Sequence, residues 1–233
     1  MHPRALVGTV LETRRRHGLA AAAATLLEAL AQVFVHLECV QIIVLKRARA
    51  PDPPHAPGRR FGAQLAGEAA LLALQAQEDW GIDAVKLAAL RAGDQCLLSL
   101  VDGRPAGYTW VHSRGLPEIL PGLWLGLPPG WLYNFAAYTH PAFRGSGLQS
   151  WRHAAVLQHP AWQGCAGLVG WVRGTNHASR RGQRKSGYLP VGWIVRAGVG
   201  SSWRVTWASP ALARHGMACV PAPAPLVAAA PAR

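Results

Sequence analysis

Apolar positions change their period several times along the chain, and each change marks an element. Residues 4 to 32 are rich in arginine and alanine, with Leu19, Leu26, Leu27 and Leu30 at spacings that one helical face aligns. This predicts an amphipathic helix with a break available at Gly18. Phe34 to Lys46, carrying Val35, Val40, Ile42, Ile43, Val44 and Leu45, reads as a strand. Four prolines between Pro51 and Pro57 forbid regular structure there. Phe61 to Arg91 is helical in composition and divides into two helices near Trp80-Gly81. Gln95 to Val101 and Ala106 to His112 flank Asp102-Gly103, a dipeptide suited to the positive φ angles of a tight hairpin turn.

After a Pro/Gly-rich loop from Leu116 to Gly130, the segment Trp131 to Thr139 reads as a strand, stopped by His140-Pro141. Arg144-Gly145-Ser146-Gly147-Leu148-Gln149 follows, then a helix from Ser150 to Gln158 with Leu148, Trp151, Ala155 and Val156 on one face. Cys165 to Val172 predicts a further strand, Asn176 to Ser186 a basic helix stopped at Gly187, and Gly192 to Ala197 and Trp203 to Ala208 two last strands. From Pro221 to Arg233 the chain is alanine, proline and little else, which predicts disorder. The domain organisation expected is a basic helix over 1–32, a folded domain over 33–208 and a tail over 209–233.

A chain of 233 residues, half of them apolar, is long enough for one sizeable core. It contains no apolar run of bilayer-crossing length, and its first residues carry charge in place of a secretory core. Cys39, Cys96, Cys165 and Cys219 have no paired spacing, which fits reduced thiols in a cytoplasmic protein and implies no metal. The formal net charge of +13 is unevenly placed. Residues 119–233 hold eleven Lys plus Arg and no carboxylate, whereas residues 1–118 hold thirteen against eleven. Such a field favours an anionic ligand, an acidic carrier protein, nucleic acid or an anionic membrane surface. Nucleic acid is the weaker reading, because Trp151, Trp162, Trp171, Trp193, Trp203 and Trp207 fall within apolar runs and read as core.

Strand, glycine turn and helix over 131–158 make an anion cradle. Glycines let backbone approach a phosphate, and the first-turn N–H groups and the helix dipole point at it. Two stretches then carry a family likeness. Thr139 to Leu148 resembles the coenzyme-binding motif of the GNAT acyltransferases, a strand ending near proline followed by Arg/Gln-x-x-Gly-x-Gly/Ala. Asn176-His177-Ala178-Ser179 through Lys185-Ser186-Gly187-Tyr188 resembles the same family's Asn-x-x-Ala/Ser and Lys-x-Gly-Phe/Tyr motif. The likeness covers roughly 33 to 208 and implies an α/β (α+β) fold. Its central sheet would be mixed and mostly antiparallel, with about six to seven strands flanked by helices and an extra N-terminal helix.

The resemblance also implies an acyl-CoA dependent N-acyltransferase, with acetyl-CoA or another acyl-CoA as co-substrate and a small-molecule or protein amine as acceptor. An acidic carrier protein and a homodimer are compatible with it. Backbone at Tyr138 and Thr139 would hold the pantetheine. Arg144, Gly145, Ser146, Gly147, Leu148 and Gln149 would hold the pyrophosphate, and Asn176 and Ser179 would complete the coenzyme site. Arg180, Arg181, Arg184 and Lys185 are candidates for a ribose phosphate. Tyr133, Asn134 and His140 are the candidates for proton transfer, directly or through water, with Glu78, Asp79 and Glu118 as acids from the first half. Two departures stand out. Gln149 replaces a small residue, and Gln183 occupies the position where many relatives place a tyrosine acid. They keep open a catalytically silent binding module.

Overall fold

In chain order the elements are α1 (Pro3–His17), α2 (Leu19–Phe34), β1 (His36–Lys46), β2 (Phe61–Leu65), α3 (Glu68–Gln75), α4 (Ala84–Arg91), β3 (Gln95–Val101), β4 (Arg104–His112), β5 (Glu118–Leu120), β6 (Leu123–Gly126), β7 (Trp131–Thr139), α5 (Leu148–Gln158), β8 (Gly167–Arg173), α6 (His177–Lys185), β9 (Leu189–Val199), β10 (Ser202–Ala208), α7 (Ala211–Arg214) and β11 (Ala218–Pro221). They come from a computed structural model that describes residues 3–34, 36–50, 60–77, 80–199 and 202–221.

Eight strands form one sheet in the order β10-β9-β1-β8-β7-β4-β3-β2, and β11-β6-β5 form a second, small sheet. In the large sheet only β7 and β8 run parallel. Strand β1 sits inside it, and its alternation serves two cores. Val40, Ile42 and Val44 pack with Leu123, Leu125, Val169 and Leu212 beside the small sheet. Ile43 and Leu45 pack with Leu97, Leu168, Val156 and Leu157 beneath α5. Both faces are covered there, so Ile42 to Leu45 read as an unbroken apolar run.

The strand count exceeds the six to seven expected because Phe61–Leu65, assigned to a helix by its leucine and alanine content, pairs with β3 as an edge strand. Sheet partners override intrinsic propensity in so short a segment. The Pro/Gly-rich loop likewise holds β5 and β6, turned at Gly122 with φ +74°. Gly18, at φ +88°, divides the expected N-terminal helix into a packed pair, α1 and α2. Beyond residue 208 the ordered chain continues through α7 and β11, which pairs with β6. The proline loop at 51–57 and the tail beyond 221 lie outside the described residues. Of the tryptophans expected in the core, Trp162 is buried, whereas Trp207 on the edge strand β10 is 50% exposed. No disulfide joins cysteines among the described residues, and none of their helices is long and apolar enough to cross a membrane.

Candidate active site at the strand fork

The site begins with a bulge. Trp110 opposes Phe135 and Tyr108 opposes Tyr138, so β7 carries one more residue than β4 across this interval. Ala136 takes up the difference at φ +46°, an angle a non-glycine residue seldom adopts. Opposite the bulge, the buried Thr109 hydroxyl donates to Asn134 Oδ1 at 2.5 Å. On the other edge, β7 pairs with β8 only from Trp131 to Tyr133. Gly167, the first β8 residue of that pairing, has no room for a side chain, since a Cβ there would lie 2.4 Å from the Leu45 carbonyl oxygen on β1. Past Tyr133 the two strands part. The fork opens a cavity of about 160 Å³ between Asn134 to Ala137 on one side and Gly170 and Trp171 on the other, roofed by α5 and α6.

A second cavity, of about 390 Å³, lies at the start of α5 and is lined by Thr139, Arg144, Gly145, Gly147, Gln149 and Lys185, among others. Gly145 at φ +76° and Gly147 at φ +81° bend the chain into the helix, with Gly147 as its N-cap. The first intrahelical bond runs from the Trp151 N–H to the Gly147 carbonyl, leaving the N–H groups of Leu148, Gln149 and Ser150 without intrahelical acceptors. Ser146 Oγ donates to the Phe143 carbonyl at 2.6 Å, which fixes the turn. Arg144 Nε donates to the Thr139 carbonyl at 3.3 Å. From the facing helix Lys185 adds a cation. Gln149 lines both cavities, so the two adjoin at its side chain. Its Oε1 lies 3.5 Å from where a Cβ on Gly182 would sit, so the side chain reaches across to α6.

Polar atoms without partners line the fork. His153 is 1% exposed, and burial with the neighbouring Arg152 pushes its pKa down to about 3, so the ring is neutral. Its Nδ1 and the Gln183 Oε1 are buried with no hydrogen-bond partner, the position of groups whose partner is a ligand or water. Tyr188 is buried, its hydroxyl accepting from Asn134 Nδ2 at 3.4 Å, and burial raises its pKa far above the ordinary phenol value. Among the described residues, no carboxylate lines either cavity.

The sequence candidates divide by place. Asn134, Ser179 and Gln149 line the fork, and Thr139, Arg144, Gly145, Gly147, Leu148 and Gln149 line the cradle. Tyr133 turns to the small-sheet core, its hydroxyl accepting from Trp171 Nε1 at 2.8 Å. Tyr138 stacks on Tyr108 with ring centroids 5.3 Å apart. His140 lines a different cavity, stacked on Trp80 at 5.4 Å, and its Nδ1 accepts from the Ala142 N–H. Asn176 caps α6, its Oδ1 accepting from the Ser179 N–H at 3.0 Å. Arg180 lies over the Trp193 ring and donates to the Gly174 carbonyl. Arg181 donates to the Arg16 carbonyl. Glu118 accepts from the Gly122 N–H in the β5–β6 turn, and Glu78 and Asp79 lie outside the described residues.

Tyr188, the aromatic of the Lys-Ser-Gly-Tyr motif, enters the fork from a strand start. Two features carried no sequence signal. His153 enters the fork from a helix interior. Asp94 Oδ1 and His112 Nδ1 meet at 2.6 Å once the β3–β4 hairpin closes, and His112 Nε2 is left buried without a partner.

No protein-family model and no curated protein sequence matches the chain. Solved structures do. A functionally unknown conserved protein from Staphylococcus epidermidis ATCC 12228 is similar with a TM-score of 0.53 at 13% identity, over 76% of this chain and 67% of its own. A GCN5-related N-acetyltransferase from Sphaerobacter thermophilus is similar with a TM-score of 0.51 at 12% identity, over 77% of this chain and 57% of its own. With the mixed sheet, the β7 bulge and the β7–β8 fork already in place, these likenesses establish that the chain has the fold of the GCN5-related N-acetyltransferase (GNAT) superfamily.

Proposed function

We propose that this protein transfers an acyl group from an acyl-coenzyme A to an amine, both substrates being bound together at the fork. The observation that carries this reading is the adjacency of the two cavities. A positively charged glycine cradle adjoins, at Gln149, a narrow polar fork. A diphosphate fits the first part, since the free N–H groups of α5, Arg144 and Lys185 converge on it. A slender amide-bearing arm fits the second, where Gln183 Oε1 and His153 Nδ1 await partners.

Once bound, the thioester and the amine are held at high effective concentration, which removes much of the barrier by orientation alone. Backbone exposed along β7 by the bulge is placed to donate to the thioester oxygen as negative charge develops. With no carboxylate among the described residues that line the fork, the attacking nitrogen sheds its proton to water. Acceptors that are already neutral at working pH suit this arrangement better than strongly basic alkylamines.

The test is thiol release from acetyl-CoA against a panel of amines, read as amine-dependent colour with a thiol reagent. Turnover on at least one amine supports the reading. Tight acetyl-CoA binding without turnover on any amine would favour the silent binding module instead.

A further inference from the structure

The N-terminal helix pair leaves an aliphatic surface that the fold does not use. Val7, Leu11, Leu19, Leu26 and Leu27 are between 40% and 70% exposed. On α1, Val7, Leu11, Arg14 and Arg15 recur at i, i+4, i+7 and i+8, so two aliphatic side chains and two exposed arginines share one stripe. On α2, Leu19, Ala23, Leu26 and Leu27 recur at the same spacing and are all exposed, while Ala21 and Ala22 turn the other side of the helix inward. A helix that only covers its own domain keeps polar residues on its outer side; α2 presents leucine there.

Charge decides what covers this surface. Helices α1, α2 and α6 together hold eight Lys plus Arg, four on α1 and four on α6, against two carboxylates, Glu12 and Glu28. Glu12 is paired with Arg16 at 2.7 Å. The cations gather where α1 ends against α6. Arg181 Nη2 meets His17 Nδ1 at 2.7 Å and donates to the Arg16 carbonyl. His17, His177, Arg180, Arg181 and Arg184 line a cavity of about 240 Å³, and His177 Nε2 is buried without a partner. A second copy of the chain would set these cations against themselves, each copy carrying a net charge of +13. Nucleic acid would answer the arginines and leave the leucines in water. An anionic lipid surface answers both, with phosphates facing the cations and the acyl boundary taking the leucines.

We propose that the α1–α2 pair lies on an anionic phospholipid membrane, its leucine stripe entering the headgroup boundary and Arg14 and Arg15 meeting lipid phosphates. None of the described helices is long and apolar enough to cross a bilayer, and lying on its surface asks only for one apolar stripe with cations beside it. The attachment does not depend on the acyl-CoA reading.

The full chain is sedimented with vesicles of phosphatidylcholine alone and of phosphatidylcholine with about one-third phosphatidylglycerol. Binding to the anionic vesicles should be at least about tenfold tighter and should weaken as salt rises. Leu26→Gln with Leu27→Gln should lower that affinity about tenfold with an unchanged circular dichroism spectrum, because both side chains are exposed. If this double variant does not fold, Leu19→Gln at the exposed start of α2 replaces it. Arg14→Gln with Arg15→Gln should remove most of the preference for anionic lipid. Absence of vesicle binding, equal affinity for the two vesicle types, or anionic binding that the leucine substitutions leave unchanged overturns the proposal. In the first case, a dimer seen by light scattering and lost in the leucine variant would assign the stripe to a second copy.

Discussion

Arg152 Nη2 donates to Thr139 Oγ1 at 2.8 Å, and this bond sets a fully buried guanidinium beneath the cradle. Its Nε donates to Ser99 Oγ at 2.7 Å, Nη1 has no partner, and no carboxylate pairs with it among the described residues. Burial pushes its pKa down to about 10, so it still carries charge at neutral pH. An unpaired interior cation costs several kcal/mol, more than the two hydroxyl bonds return at about 1 kcal/mol each. We therefore expect Arg152→Met to raise stability by about 1 kcal/mol in denaturant titration. Because the lost charge lies below Thr139, acetyl-CoA affinity should fall roughly tenfold by calorimetry, or about 1.4 kcal/mol.

His153 makes folding sensitive to acid. Its folded pKa is about 3, below the ordinary 6.5, so the unfolded chain takes a proton that the folded chain refuses. Unfolded protein then binds more protons, and stability falls as pH drops from about 6.5 toward 3. In urea titrations from pH 6 down to 4, the stability of wild type relative to His153→Leu should fall by up to about 1.4 kcal/mol per pH unit. A constant difference would place the proton-sensitive group elsewhere.

Gly107 has room for nothing larger. A Cβ there would stand 2.4 Å from both Arg152 Nη2 and the Tyr138 carbonyl oxygen. Gly107→Ala should destabilise by about 3 kcal/mol, since one of the obstacles is backbone and the other is a buried, bonded side chain. Thermal unfolding followed by circular dichroism reads this directly.

Gly145 separates conformation from space. No atom lies within 4 Å of its would-be Cβ, and its φ is +76°. Gly145→Ala should cost only about 1 kcal/mol in stability. Its methyl group would stand in the cradle, so acetyl-CoA binding should weaken by at least about tenfold, equivalent to 1.4 kcal/mol. Denaturant titration and calorimetry on the same sample distinguish the two effects.

How much of this was legible in the chain depended on whether the signal was local. Pro141, Gly145 and Gly147 act on their own backbone, so the strand, turn and helix from 131 to 158 could be placed from residue types alone. Asp102-Gly103 did the same for the β3–β4 hairpin. Phe61–Leu65 became a strand only because β3 offers it an edge, a fact 32 to 40 residues away in the chain. The fork was less readable still. Nothing near Tyr188 says that Asn134 bonds to it, because the two meet only in the folded chain. His153 lies on a helix whose apolar face of Leu148, Trp151, Ala155 and Val156 gave no reason to expect a buried imidazole. Charge was visible early, yet several arginines it pointed to, Arg180 and Arg181 among them, bond to protein carbonyls.

The proposed function stands most directly on whether the cradle and the fork hold an acyl-coenzyme A. Calorimetric titration of the full chain with acetyl-CoA, repeated at rising salt and with Gly145→Ala, is the decisive measurement. One site per chain is expected, weakening with salt because cations meet a diphosphate, and weakening again in the variant. Absence of binding, or binding indifferent to the Gly145 substitution, would contradict the assignment of the 144–149 turn and the function built on it.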